Sequence, residues 1–204
     1  DKYPVMQVAS AEGYVRDPEL VIDFYNERRK QLLDVEPNAG HTGLAELEKD
    51  FNVTVVTQNV DNLHERAGST HVIHLHGELT KVCSSRDPYN PRYVRELKPE
   101  EYEVKMGDKA GDGSQLRPFI VWFGEAVPEI ETAIGYVEKA DIFVIIGTSM
   151  NVYPAAGLLN YVPRTAEVYL IDPKPVDTHS MRQIHVIQKG ASEGVKELKT
   201  EILH

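Results

Sequence analysis

Asp141-Ile-Phe-Val-Ile-Ile-Gly147 is the most apolar run in the chain. Five apolar residues bounded by an acid and a glycine read as a central parallel strand, covered on both faces. Before it, Ile130, Ala133, Ile134 and Val137 recur at helical spacing after Pro128. After it, Val152-Tyr-Pro-Ala-Ala156 opens another helix. Val168 to Ile171 then reads as a strand ending at Asp172-Pro173, and Ile184 to Ile187 as a short edge strand. Ala191 to Leu203 reads as the last helix, with Val195, Leu198 and Ile202 inward. Strands alternating with helices predict an α/β fold with a mainly parallel sheet. In such sheets ligands collect at the carboxyl ends of strands. Gly147 to Ser149 and Asp172 lie at two such ends.

Working towards the amino terminus, Val53 to Thr57 reads as another buried strand. The stretch behind it, Thr57 to Leu79, gathers Gln58, Asn59, Asp61 and Asn62 with His64, His71, His74 and His76. Burying that many polar groups without partners costs free energy, so they are expected to meet a ligand. Asn59 and Asp61 again follow a strand end, which places a third segment along one crevice. Asp61 to Ala67 is predicted as a short helix stopped by Gly68. His71 to His76 is predicted as extended. Alternation would put Val72, His74 and His76 on one face and His71, Ile73 and Leu75 on the other. Further upstream, Asp17 as N-cap, Pro18 at the first position and Glu19 in the first turn predict a helix to about Leu33. Tyr25 and Arg28 share a face of it. Leu44, Leu47 and Phe51 mark a second amphipathic helix, and residues 1–16 read as loop.

Lys81 to Gln115 differs in character. It carries prolines, glycines and many charges and few apolar residues, and reads as an inserted small module or long excursion outside the core.

The bulk properties suit this picture. The chain has 204 residues, 41% hydrophobic and 26% charged, enough for one domain with a small insertion. The formal net charge is −10 and no basic stripe is present, which argues against nucleic acid and anionic membranes as partners. No apolar run is long enough to span a bilayer, so a cytoplasmic address is the default. Cys83 is the single cysteine, which excludes an internal disulfide.

Local chemistry leaves alternatives open. Gly147-Thr148-Ser149 suits a phosphate or ribose, but is also an ordinary turn. Asp172 could accept from a ribose hydroxyl or simply form a turn before Pro173. His76, at a corner before Gly77, has the ordinary pKa of a general base. His74 and His76 also suggest metal ligands, but no second cluster completes a coordination sphere. No nucleophile motif, Walker loop or Gly-x-Gly-x-x-Gly occurs.

Taken together, Thr57-Gln-Asn-Val-Asp-Asn-Leu-His64, His76-Gly-Glu-Leu79, Val121-Trp-Phe-Gly-Glu125, and Gly147-Thr-Ser149 with Val152-Tyr-Pro-Ala-Ala156 resemble, in order, the signature blocks of the sirtuins, the NAD-dependent protein lysine deacylases. The resemblance implies NAD as cofactor and acylated lysine side chains of proteins or peptides as substrate. It implies His76 as the base towards a ribose hydroxyl. Asn59 and Asp61 would hold the nicotinamide carboxamide, and Gln58 would touch its ribose. Gly147, Thr148 and Ser149 would line the adenosine and phosphate side, with Ala191 and Ser192 near adenine. Val121, Phe123, Gly124 and Glu125, with Val152 and Tyr153, would flank a peptide bound as an added strand. The substrate's own acyl oxygen would attack the ribose as nicotinamide leaves, giving O-acyl-ADP-ribose, which accounts for the missing nucleophile. Phe24-Tyr-Asn-Glu-Arg28 resembles the Tyr-x-x-Arg element of class III sirtuins, which favour succinyl, malonyl and glutaryl groups. A phenol and a guanidinium one helical turn apart can grip a carboxylate together.

Two departures follow from the same resemblance. The module lacks the four zinc cysteines, so residues 81–115 are expected as a zinc-less module beside a Rossmann-like domain made of residues 1–80 and 116–204. The family's glycine-rich first block is not found, so the chain is expected to be a piece of a longer protein and to bind NAD poorly alone. That leaves a non-catalytic NAD or ADP-ribose module as the alternative, and a metal-dependent hydrolase using His74 and His76 behind it.

Overall fold

The computed structural model describes residues 3–147, 155–178 and 182–203, with residues 155 and 156 described in their backbone alone. The amino-terminal half holds α1 (Val5–Val8), α2 (Ala11–Arg16), α3 (Pro18–Leu32), α4 (Ala39–Glu46), β1 (Val55–Thr57), α5 (Leu63–Arg66), β2 (Val72–His74), β3 (Gly77–Ser84) and β4 (Arg95–Glu96). The rest holds β5 (Leu116–Ile120), α6 (Ile130–Val137), β6 (Ile142–Ile146), β7 (Glu167–Ile171), β8 (His185–Ile187) and α7 (Ala191–Ile202), with short 3-10 turns between. Residues 1–16 are thus not loop throughout. Ser10 caps α2 by accepting from Gly13 N at 3.0 Å, but runs of four and six residues are too short to show a period. The start of α3 is as the sequence predicts, with Asp17 accepting from Leu20 N and Pro18 in the first turn.

The chain forms two compact units. The first comprises Asp1–Glu36, Thr57–Asn62 and His74–Pro128. Its sheet is antiparallel, in the order β4-β3-β5. Ile22 of α3 packs with Val82, Leu97, Val104 and Leu116, all buried. Residues 81–115 are therefore not a coreless excursion, and β3 runs through residue 80 without a break. The few apolar side chains there are nearly all spent inward, which a composition count hides. Arg29, 3% exposed, fastens α3 to this layer by donating to the carbonyls of Tyr102 at 2.8 Å and Leu79 at 3.3 Å. Burial lowers its pKa to about 10, so it stays charged at neutral pH.

The second unit comprises Pro37–Val56, Leu63–Ile73 and Glu129–His204. Its sheet is parallel, in the order β6-β7-β8. Ile142 faces Glu167 and Ile146 faces Ile171 in the β6–β7 ladder. Leu47, Tyr169, Ile171, Ile187, Val195 and Leu198 form its core. Gly194 brings α7 onto β7: a Cβ there would lie 2.2 Å from Ile171 Cγ2. Two expectations are corrected. The apolar run 142–146 is half-buried, and among the described residues β6 pairs with β7 alone; β7 is the inner strand. Val53 to Val56 is half-buried as well; among the described residues β1 pairs with β2 alone.

Candidate active site

Thr57 ends β1 and turns the chain. Its hydroxyl accepts from Asn59 N at 3.0 Å, an ST-turn that commits the backbone to leave the strand direction. The loop behind it is sewn to residues 74–79 at three points. Leu75 N donates to Thr57 O at 2.9 Å, His74 Nδ1 meets Asn59 O at 3.0 Å, and Leu79 N donates to Val60 O at 2.8 Å. A carbonyl oxygen only accepts, so His74 Nδ1 carries its proton there. The result holds Gln58, Asn59 and Asp61 on a fixed loop alongside His76. Asn59 is exposed, and Gln58, Asp61 and His76 are half-buried.

The extended segment predicted from His71 to His76 is shorter. β2 ends at His74, and Leu75-His76 form a turn before β3. Ile73, His74 and Leu75 are buried in succession, so the predicted alternation fails at the turn. His74 is thereby a structural part of the loop, 7% exposed, with its Nε2 3.8 Å from Glu78. His76 is set apart. Its carbonyl accepts from Val121 N at 2.9 Å, and burial lowers its imidazole pKa. It is neutral at physiological pH, the form that takes up a proton. Gly77, next to it, has φ of 86°, and a Cβ would lie 2.1 Å from Phe119 O. Only glycine lets β3 and β5 close here.

Beyond β5, residues 121–125 form a tight turn around Glu125. Its carboxylate accepts from Trp122 N at 2.8 Å, from Tyr89 OH at 2.7 Å, and from Arg117 at 3.1 Å and 3.2 Å. Burial opposes ionisation of Glu125, but the hydrogen bonds from Arg117 and Trp122 N outweigh it and hold the carboxyl below its ordinary value. Glu125 is thus spent on shaping the turn. Phe123 is the outward side chain, 61% exposed, with its N–H on Ala9 O at 2.9 Å, and Gly124 is exposed beside it. Val121 is half-buried.

On α3, Tyr25 is 6% exposed and its hydroxyl accepts from Trp122 Nε1 at 3.0 Å. Burial raises the phenol pKa, so the proton stays on. Arg28 is exposed, with its guanidinium carbon 4.9 Å from the centre of the Phe24 ring and no carboxylate partner among the described residues. The two side chains share a helix but not a contact.

In the second unit, Gly147 follows β6 with φ of 65° and is exposed, with no described residue within 4 Å of where a Cβ would stand. Asp172 follows β7. Its Oδ1 accepts from Lys174 N at 2.9 Å, so it does form the turn before Lys174. Ala191 and Ser192 begin α7, whose N-cap Gly190 supplies no side-chain hydrogen bond, leaving amides at that end for a ligand. Thr148, Ser149, Val152 and Tyr153 lie outside the described residues.

Sequence reasoning missed Arg117, Tyr89 and Trp122. Arg117, 3% exposed, sits in the strand Leu-Arg-Pro-Phe-Ile, and its guanidinium carbon lies 3.8 Å from the centre of the Trp122 ring. An arginine inside an apolar strand was the available signal, since a buried cation demands a partner.

A model of the Sir2 family matches residues 1–154. An NAD-dependent protein deacylase of Bacteroides thetaiotaomicron is 84% identical over 199 residues, covering 98% of this chain and 85% of that protein. One from Helicobacter pylori is 47% identical over 201 residues, with coverages of 98% and 85%. Among solved structures, a Sir2 homologue–NAD complex superposes with a TM-score of 0.82 at 34% identity, over 99% of this chain and 78% of that one. A Sir2–p53 peptide–NAD+ complex does so with a TM-score of 0.74 at 28% identity, over 94% and 81%.

Proposed function

The chain belongs to the Sir2 family and is an NAD-dependent protein deacylase, and from that premise we propose that it removes acidic acyl groups, succinyl and malonyl ahead of acetyl, from protein lysines.

Within each unit, taken by itself, the residues present suit a part of the cofactor. A neutral His76 stands beside a loop pinned at three backbone points, and α7 begins with amides that no side chain caps. Gln58, Asn59 and Asp61 would hold the nicotinamide and its ribose. Gly147, Thr148, Ser149, Asp172, Ala191 and Ser192 would carry the adenosine side. When bound, NAD supplies a ribose that accepts the acyl group, with nicotinamide as leaving group. His76 takes the proton from a ribose hydroxyl at its unprotonated ring nitrogen. Phe123 and Gly124, with Val121, offer the exposed edge along which an extended peptide lies. Glu125 acts indirectly, by holding that edge. The same proposal has no nucleic acid or membrane among the partners and a cytoplasmic address; no helix of the described residues is long and apolar enough to cross a membrane.

One observation carries the acyl preference. One helical turn apart on α3, exposed Arg28 has no carboxylate partner among the described residues, and buried Tyr25 keeps its phenol proton. Together they match an acyl chain ending in a carboxylate. Arg28→Met should lower kcat/KM on a succinyl-lysine peptide by about 10- to 150-fold, the range expected for a hydrogen bond to a charged group, and change deacetylation far less. Equal losses on both peptides would refute the preference. Mass spectrometry of the products, seeking O-succinyl-ADP-ribose, checks the reaction itself.

A further inference from the structure

Trp122 is the single tryptophan of the chain and is 2% exposed. Its surroundings are specific. Arg117 covers one face of the ring at 3.8 Å, and the Tyr14 and Tyr25 rings lie at centroid distances of 5.2 Å and 6.3 Å. Its backbone N–H is held by Glu125 at 2.8 Å. Arg117 and Glu125 are themselves paired at 3.1 Å, and Tyr89 adds a hydrogen bond to the same carboxylate. The indole therefore has little freedom to move.

The indole N–H can only donate, and it donates to Tyr25 OH at 3.0 Å. That bond occupies a lone pair of the phenol oxygen. The phenol proton is then directed away from Trp122, and accepting one hydrogen bond strengthens the phenol as donor of another. A terminal carboxylate is a pure acceptor and gains most from such a donor.

We propose that Trp122 is a positioning residue for acyl selectivity: its indole N–H sets the Tyr25 hydroxyl as a donor towards the carboxylate of an acidic acyl-lysine, while Arg117 and Glu125 keep the indole in place. This rests on the proposed role of Tyr25 and Arg28 in gripping that carboxylate.

Trp122→Phe keeps an aromatic ring and removes the donor. The ratio of kcat/KM for succinyl-lysine over acetyl-lysine, in peptides of one sequence, should fall by about 3- to 10-fold. The double variant Trp122→Phe/Tyr25→Phe should fall no further than Tyr25→Phe alone, because Trp122 acts only through the Tyr25 hydroxyl. An unchanged ratio in Trp122→Phe, with a fall in Tyr25→Phe and Arg28→Met, overturns this proposal and leaves the acyl preference standing. An unchanged ratio in all three overturns both. Should Trp122→Phe not fold, the lone tryptophan offers a second measurement on the unaltered protein. Succinyl-lysine peptide should shift its emission more than acetyl-lysine peptide does, and Tyr25→Phe should abolish the difference. Equal shifts would overturn the proposal.

Discussion

At the scale of single residues, the site sets apart side chains that look alike in the sequence. His74 and His76 are two positions apart. His74 is committed to the Asn59 carbonyl, whereas His76 stands half-buried in a turn whose own backbone is bonded elsewhere. No spacing rule separates them, because the turn at Leu75-His76 interrupts the strand that spacing assumes. The consequence can be measured. Burial lowers the His76 pKa from 6.5, so the neutral form persists into mildly acid solution. The acid limb of kcat/KM should have its midpoint below 6.5, and His76→Tyr should abolish turnover with the fold intact by circular dichroism. A midpoint above 6.5, or a working His76→Tyr variant, would remove His76 as the base. Linkage has the same sign. Below about 6.5 the unfolded chain binds the proton first, so the stability that His76 contributes is present above that pH and lost as pH falls.

At the scale of elements, boundaries with a chemical stop were legible: Asp17-Pro18 at the start of α3, Ile130 to Val137 as α6, and Ala191 onward as α7. Elements that depend on distant partners were not. Residues 81–115 read as an inserted module or excursion because their few apolar side chains, though nearly all buried, are diluted among polar ones that fasten them as well. Ser84 donates to Asp112 Oδ2 at 2.6 Å and accepts from the backbone N–H groups of Arg86 and Asp87 at 3.0 Å and 2.9 Å. Ser114 donates to Asp112 Oδ1 at 2.7 Å. The hydrogen bonds from Ser84, then Ser114, draw the Asp112 pKa down to about 2. Cys83 beside this clasp is buried and its thiol is pushed up to about 12, so it stays protonated. The clasp joins the end of β3 to the segment before β5. Asp112→Ala should lower Tm by about 2–4 °C, the shift that losing such bonds gives in a chain of this size. Amide exchange should quicken at Arg86, Asp87 and Ser114, while adding a chelator to the unaltered protein should leave Tm unchanged. A chelator effect equal to that of Asp112→Ala would mean that a metal, not the clasp, secures the module.

At the scale of the whole molecule, composition and order of blocks were enough to name the α/β class and the family, because the signature residues are local in sequence. Which strand lies innermost was not legible: the most apolar run is β6, yet the buried strand is β7, since burial is set by neighbours and not by hydropathy. Charge is a property of the whole chain that the sequence does give, at 32 acids against 22 lysines and arginines. A net charge of −10 attracts cationic peptides over distances set by the screening length, about 10 Å at 0.1 M salt and about 3 Å at 1 M. The acid that belongs to the proposed peptide edge, Glu125, is already paired with Arg117, so the attraction proposed is long-ranged and not a contact with it. It should therefore act on encounter and leave the chemical step alone. Raising salt from about 0.05 M to 0.5 M should raise KM several-fold for an acyl-lysine peptide flanked by arginines. It should leave kcat unchanged, and it should barely affect a peptide with neutral flanks. Steady-state kinetics on the two peptides decide it. Equal salt sensitivity would mean that the net charge plays no part in substrate capture and that recognition rests on the exposed edge at Phe123 alone.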